Sequence, residues 1–401
     1  MPIHRKSTIN RIIAWLHLWL GLLSGIVVFV VSITGCLFAF QEEIAAFLYR
    51  KKWFVLEAHP QQALPFDQLF NKAQSALGAE KPIDYAMVYR DSRRAWEFTA
   101  YEPGNESAIS FPGSIAYYES VFVNPYTGDI TGRMKHLHEF FTVVKYIHWS
   151  LFLNERYGQP IVGWSTVIFT ITLITGFIMW FPGKWSRHEL RRAFTIRWQA
   201  KWKRINYDLH NVLGFYVLFI ALILAFTGMV FSFAWIRSLL QGNENNLTAK
   251  VNHALLDADP GKQSASSVDR ALATVMQHYP EADRYLIYFT PDDHLPHTLT
   301  VYHQKHVFYD MTTFDVDPQA GNLLWKESFD KLPVGEKLLS MNYDIHVGAI
   351  AGLPGKVLAF GVSLVCASLP VTGFLIWWGK KRKPKKLSSQ EMWVREKETG
   401  C

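Results

Sequence analysis

A chain of 401 residues that is 49% hydrophobic and 15% aromatic, with 19% charged side chains, carries several uncharged apolar runs too long for an ordinary soluble core. Its net charge of +7 is gathered into three clusters instead of spread over a face, which argues against a nucleic-acid surface. Only three cysteines are present, Cys36, Cys366 and Cys401, so neither a disulfide framework nor a thiolate cluster is expected.

Taken in chain order, a basic start (Arg5, Lys6, Arg11) leads into an apolar run from Ile12 to Phe40. The run is longer than a signal-peptide core and no small-residue cleavage site follows, so it reads as a retained membrane helix, with 1–40 forming the first segment. The segment 41–160 reads as an outward-facing α+β domain. Phe66 to Leu77 has helical spacing, and Tyr85 to Tyr89, Ala95 to Tyr101 and Ala116 to Val123 read as strands ending in Val123-Asn124-Pro125-Tyr126-Thr127-Gly128. An amphipathic, membrane-skimming stretch from Leu137 to Leu153 follows and carries His148, ahead of a break expected at Gly158 and Pro160. The second span runs from Ile161 to Phe181 within 161–182, and the basic loop 183–208 carries Lys184, Arg187, Arg191, Arg192, Arg197, Lys201, Lys203 and Arg204.

A third span, Leu209 to Ile236 (segment 209–236), leads to a second outward domain, 237–352. There Ser266-x-x-Asp269 reads as a capping box opening a helix from Val268 to Tyr279. Strands are expected at Tyr285 to Thr290, Thr298 to His303 and Val307 to Val316, closed by Val316-Asp317-Pro318-Gln319-Ala320-Gly321. The skimming stretch Phe329 to Ile350 carries His346 before Gly352, Pro354 and Gly355, and the fourth span, Leu353 to Trp378 (segment 353–379), ends at a basic tail, 380–401, read as solvated. Each span covers about 30 Å of hydrocarbon at ~1.5 Å per residue. All three basic clusters fall at the same ends of the spans, which places both termini and the middle loop in the cytoplasm of a bacterial inner membrane and the two α+β domains outside.

The chain reads as an internal two-fold repeat. Arg11-Ile12-x3-Leu16-His17-x2-Leu20-Gly21 returns as Arg204-Ile205-x3-Leu209-His210-x2-Leu213-Gly214, and Thr34-Gly35 with Thr227-Gly228, and Pro125 with Pro318, keep the same offset of 193. Ile147-His148 and Thr175-Gly176 return as Ile345-His346 and Thr372-Gly373. A histidine in or beside a membrane span is costly and defaults to a functional hypothesis; singly it is more often a satisfied polar residue than a ligand, but these come as pairs at matched depth. His17 with His210 near the inner face, and His148 with His346 near the outer, are placed to hold two haems through paired imidazoles, with His138 a competitor for His148. With no C-x-x-C-H in the chain, the haems are expected to be b-type. Alternation of helix direction puts Gly176 and Gly373 at the level of the inner pair and Gly35 and Gly228 at the outer, where a porphyrin edge needs residues without bulk, although small-residue helix packing accounts for any one glycine as well. Histidines 294, 297, 303 and 306 form two H-x-x-H spacings read as solvated surface. No phosphate loop or dinucleotide fingerprint occurs, so electrons come from a membrane quinol or from a partner flavin or NAD(P)H reductase.

On L-H-x-x-L-G with a downstream T-G in spans one and three, I-H-V-G-A-I-A-G-L-P-G-K before span four, and the V-x-P-x-x-G close of both outer domains, nearly the whole chain resembles the PepSY-associated transmembrane family of iron-regulated inner-membrane proteins, and within it the FoxB-type ferric-siderophore reductases. The resemblance implies a four-helix membrane bundle carrying two PepSY-like domains, two haems b on His17, His148, His210 and His346, and one-electron reduction of ferric siderophores outside the membrane. It departs at Ile147-His148-Trp149-Ser150-Leu151, where Gly158-Gln159-Pro160 stands in place of L-P-G. A hydroxamate chelate suits this chemistry, since its hard oxygens hold ferric iron well and ferrous iron poorly. The runner-up is a b-type cytochrome relaying quinol electrons to another acceptor; a third reading is a haem-free protein whose outer domains bind proteins or inhibit peptidases.

Overall fold

The structure, a computed structural model, describes residues 8–55, 62–181, 186–241, 266–291 and 295–381. Arg5, Lys6, Lys184, His294, Cys401 and the basic tail from Arg382 lie outside the described residues.

Four helical runs are long and apolar enough to cross a membrane: Thr8–Ala39, Glu155–Trp180, Trp202–Ser232 and Ala349–Gly379. The first is α1 (Thr8–Ala39), followed by short helices α2 (Gln41–Leu48) and α3 (Arg50–Trp53). Next come α4 (Phe66–Leu77), strands β1 (Tyr85–Tyr89), β2 (Trp96–Pro103), β3 (Ile115–Val123) and β4 (Ile130–Lys135), then α5 (Phe140–Ser150) and α6 (Glu155–Trp180). After α7 (Arg187–Phe194), the third run comprises α8 (Trp202–Asp208), a π-turn over Leu209–Leu213, and α9 (Gly214–Ser232). The remainder is α10 (Ala234–Gln241), α11 (Ser267–His278), β5 (Arg284–Tyr288), β6 (His297–Tyr302), β7 (Met311–Val316), β8 (Leu323–Ser328), α12 (Val334–Val347) and α13 (Gly352–Lys381).

The long helices close into a ring in which α1 touches α6 and α13, and α9 touches the same two, so α1 and α9 face each other diagonally. Outward-facing positions such as Ile12, Trp19, Ile26, Trp164, Ile171, Phe219, Phe226 and Leu364 are large, apolar and exposed, as a lipid-facing surface requires. Inside the ring, Leu173, Val217, Leu218, Ala221, Val362 and Cys366 form an apolar cluster. Helices α5 and α12 pack against the ring at its sheet-bearing end, α5 on α1 and α6, α12 on α9.

The two α+β segments do not stand as two units. Their strands form one antiparallel eight-stranded sheet, ordered β4-β3-β2-β1-β5-β6-β7-β8, joined where Tyr85 to Tyr89 run opposite Tyr288 to Arg284. One face is apolar and continuous across the join, with Ala86, Val88, Phe98, Val121, Tyr285, Ile287, Leu299, Val301 and Phe314 packed under both α4 and α11. Burial of that shared layer holds the halves together. The capping box expected at Ser266 is half made: Ser266 Oγ accepts from Asp269 N at 3.2 Å, but the Asp269 carboxylate accepts from Phe66 N (2.6 Å) and Asp67 N (3.2 Å) at the start of α4. In return Asp67 accepts from Ser266 N at 3.1 Å and from its hydroxyl at 2.5 Å, so each helix is capped by the other's first-turn aspartate.

The chain break before α6 also differs from the expected one. Pro160 lies inside α6, and the reversal falls instead at Leu151 and Phe152, both at positive φ (56° and 62°). Gly158 is required for another reason: a Cβ there would strike the Ser150 carbonyl, just as one at Gly355 would strike that of Gly348. These two close approaches fold α5 back on α6 and α12 back on α13.

Cysteines replacing Tyr85 and Tyr288, opposed across the β1–β5 join with ring centroids 5.3 Å apart, should form a disulfide in a background lacking the native thiols. Absence of the crosslink under oxidation, read by gel mobility after cleavage between residues 186 and 241, would mean that the halves do not share a sheet.

Candidate functional site

Four of the histidines face one another in two pairs. His17 on α1 and His210 in the π-turn have ring centroids 6.2 Å apart with planes at 82°. His148 on α5 and His346 on α12 are 5.9 Å apart at 67°. His138 lies exposed on a turn before α5, so it is His148 that meets His346. The second H-x-x-H spacing spreads apart: His303 Nε2 pairs with Thr312 Oγ1 and His306 Nδ1 with Glu42. His297 Nδ1 accepts from Thr290 N.

Each paired histidine is held by a neighbouring helix in the same way. His17 Nδ1 lies 3.2 Å from Thr175 Oγ1 and donates to the Thr172 carbonyl at 3.1 Å; His148 Nδ1 lies 3.4 Å from Thr34 Oγ1 and donates to Val31 at 2.8 Å. His210 Nδ1 meets Thr372 Oγ1 at 2.9 Å and His346 Nδ1 meets Thr227 Oγ1 at 2.8 Å. In all four threonines the hydroxyl hydrogen is already given to a carbonyl one turn back, at 2.8 Å (Thr34), 2.9 Å (Thr175), 2.9 Å (Thr227) and 2.9 Å (Thr372). The threonine oxygen therefore accepts, Nδ1 carries the proton, and Nε2 keeps its lone pair. Such second-shell bonds are what fix the tautomer and orientation of metal-ligating imidazoles.

The glycines after these threonines serve the rings themselves. A Cβ at Gly176 would lie 3.0 Å from His17 Cε1, at Gly35 3.1 Å from His148 Cε1, at Gly373 3.2 Å from His210 Cε1, and at Gly228 3.5 Å from His346 Cε1. The four Thr-Gly pairs stand at the levels assigned from helix direction, but they seat an imidazole where the sequence suggested clearance for a porphyrin edge.

One element escaped the sequence reading. Asn206-Tyr207-Asp208-Leu209-His210 and Asn342-Tyr343-Asp344-Ile345-His346 share N-Y-D-x-H. Asn206 Nδ2 donates to the Thr372 carbonyl at 3.0 Å and Asn342 Nδ2 to the Thr227 carbonyl at 3.2 Å, the same threonines that bind the histidines four residues on. The aspartates, both fully buried, anchor the segments sideways: Asp208 to Arg204 and the Arg197 amide, Asp344 to the amides of Phe308 and Tyr309. The repeated pentapeptide is the signal that would have found them.

Over the His148–His346 pair lies a cavity of about 710 Å³, inside the range of about 300–1,000 Å³ usual for ligand sites. Its deep wall is apolar (Val27, Val28, Val31, Phe169, Leu224, Ala225) and its outer end carries Tyr49, Trp53, Tyr118, His136, Glu139 and Lys145. The donor set is specific. Two imidazoles that bind one metal from opposite sides, through bonds of about 2.0–2.1 Å, have ring centroids about 6 Å apart, and among the described residues no third His, Cys, Asp or Glu joins either pair. That suits the two axial positions of a haem and not a tetrahedral ion.

His136 shows the electrostatics of the cavity mouth. It stacks on Tyr118, with centroids 4.1 Å apart, and Nε2 meets Ser120 Oγ at 2.6 Å. Burial pushes its pKa down to about 4, against Glu139 and aided by Lys145. An unfolded histidine takes its proton near pH ~6.5, so the stability linked to this ring is intact above that pH and drains as pH falls toward 4, by up to about 3 kcal/mol. His136→Gln should flatten the decline of Tm in detergent between pH 7 and pH 5. A variant whose Tm falls as steeply as the parent's would acquit His136.

Comparison with known families matches the PepSY-associated TM region over residues 14–380, a range that takes in all four spans and both histidine pairs. Comparison with curated proteins gives no match. The chain belongs to the PepSY-associated transmembrane family, and it is a multi-pass membrane protein.

Proposed function

We propose that this member of the PepSY-associated transmembrane family is a dihaem b inner-membrane reductase that carries electrons outward to ferric siderophores, with both termini cytoplasmic and the sheet, as two duplicated PepSY-like halves, in the periplasm. The observation that carries the proposal is the doubled histidine pair, 6.2 Å and 5.9 Å between rings, with the Nδ1 side of every ring engaged and Nε2 left with its lone pair. A haem held by each pair would supply a one-electron carrier. His17 and His210 would hold one haem, His148 and His346 the other. The threonines and backbone carbonyls hold the Nδ1 proton and orient each imidazole, and Gly35, Gly176, Gly228 and Gly373 let it sit against the neighbouring helix. The apolar cluster of Leu173, Val217, Leu218, Ala221, Val362 and Cys366 lies within the helix ring and offers no polar group to water.

Nothing in the chain replaces an external donor, so a membrane quinol or a cytoplasmic flavin or NAD(P)H reductase supplies electrons at the His17–His210 end. The acceptor is a ferric chelate, with a hydroxamate the favoured class: one electron turns its iron into the labile ferrous ion, which the hard oxygen ligands release.

Purified protein should contain two low-spin haems b per chain. His17→Ala or His210→Ala should remove one and spare the other, and His346→Ala should do the reverse. Full haem content in all three variants would sink the ligand assignment. In stopped flow, reduced protein should reoxidise faster with a ferric hydroxamate than with buffer, and a ferrous chelator should trap the released iron. Indifference to every ferric siderophore, with both haems present, would favour the quinol-to-another-acceptor reading.

The spacing around the rings makes a graded prediction. Gly176→Ala should shift the midpoint potential of the His17–His210 centre and Gly35→Ala that of the outer centre, while Gly228→Ala, with 3.5 Å to spare, should leave both within error. Redox titration resolving the two centres checks it, and unchanged midpoints at Gly176 and Gly35 would reduce these glycines to ordinary packing residues.

A further inference from the structure

The outer cavity contains one charge that the described protein does not answer. Lys145 lines it from α5, three residues before His148 and so on the same side of that helix. Among the described residues no carboxylate comes within ion-pair distance of its ammonium, which lies over the ring of Tyr146, 4.9 Å from the centroid. The side chain is exposed, opening into the cavity, while the protein packed around it pushes its pKa down, with Glu155 acting in the opposite sense.

The cavity's own carboxylate is spent. Glu139 Oε1 accepts from Tyr49 Oη at 2.8 Å and from Phe141 N at 2.9 Å, and Oε2 from Thr142 N at 2.6 Å, which makes it the N-cap of α5. His136 is committed to Ser120. A lone ammonium facing a cavity loses its water when a ligand fills that cavity, and in folded proteins a desolvated cation is paired or sits where a ligand brings the pair. The cavity is thus amphiphilic in one direction: apolar along Val27, Val28, Val31, Leu224 and Ala225, with two imidazoles at mid-wall and a lone cation toward the sheet.

We propose that Lys145 is the carboxylate-binding residue of this cavity and pairs with a propionate of the haem that His148 and His346 would hold. The assignment rests on the haem reading above and adds to it a direction: the acidic edge of the porphyrin faces the sheet, and its apolar edge faces the membrane interior. Charge-assisted hydrogen bonds of an ammonium to a carboxylate are among the stronger ones available in a shielded site.

The test compares haem with its dimethyl ester, which keeps the ring and iron but has no free carboxylate. Apoprotein from haem-deficient cells, carrying His17→Ala so that only the outer site fills, is loaded with each, and transfer to excess apomyoglobin is followed by absorbance. The parent should lose the ester roughly ten- to a hundredfold faster than the free acid, the range that a charged hydrogen bond of about 1.5–3 kcal/mol implies. Lys145→Met should lose both at one rate, and Lys145→Arg should restore the preference. Equal loss of acid and ester from the parent, or a preference that survives in Lys145→Met, overturns the assignment alone. A protein that takes up neither porphyrin overturns the haem reading and this assignment with it.

Discussion

The arrangement depends on a threonine hydroxyl having only one hydrogen. Because Thr34, Thr175, Thr227 and Thr372 each give theirs to a carbonyl of their own helix, the only thing they can offer a neighbouring imidazole is a lone pair. That fixes a proton on Nδ1 of His17, His148, His210 and His346, and it leaves Nε2 of each with a free lone pair. At Gly35, Gly176 and Gly373 the adjoining glycine has to follow, since a side chain there would crowd the ring, whereas at Gly228 a Cβ would stand at an ordinary 3.5 Å from His346. A Thr-Gly pair on one helix and a histidine on the next are therefore one device, used four times, and it also explains why the ring of helices closes as it does: α6 holds the histidine of α1, α13 that of the π-turn before α9, α1 that of α5, and α9 that of α12.

The second constraint is the sheet. Two segments that share a hydrophobic layer and exchange helix caps must lie on the same side of the membrane, which requires an even number of crossings between them. Helices α6 and α9 supply two. The sheet also fixes the spacing of α5 and α12, which hang beneath its two halves, and with it the distance across which His148 and His346 face each other.

What the sequence disclosed follows from the range of the interactions. Helix α4 and strand β1 were legible to the residue because amphipathic spacing and β-branched or aromatic alternation are local properties. Strands β4 and β8 were missed: Ile-Thr-Gly-Arg-Met-Lys and Leu-Leu-Trp-Lys-Glu-Ser are short and charged with one buried residue each, as edges that resist further pairing tend to be. Pro160 read as a break because proline usually ends a helix, whereas Leu151 and Phe152, which do turn the chain, carry no sign of it. The joining of β1 to β5 and the exchanged caps were invisible, being contacts between distant segments that no single window contains. The four histidines were found because each recurs in the second half of the chain, His17 as His210 at an offset of 193 and His148 as His346 at 198. The N-Y-D-x-H segments were overlooked because they recur within the latter half of the chain, across the repeat and not along it.

The exchanged caps and the β1–β5 join bear on how the protein is made. Until Arg284 to Tyr288 emerge, β1 is a bare edge and the first turn of α4 lacks the carboxylate that satisfies its amides. About 195 residues separate the two strands, and at ~5–20 residues per second that is a wait of roughly 10–40 s, during which α6 and α9 must also enter the bilayer. Throughout this interval the nascent segment presents an unpaired edge and half of an uncovered core, the features that invite wrong pairing. Completion of the sheet is the checkpoint after which α5 and α12 are fixed and a ligand can be enclosed beneath them.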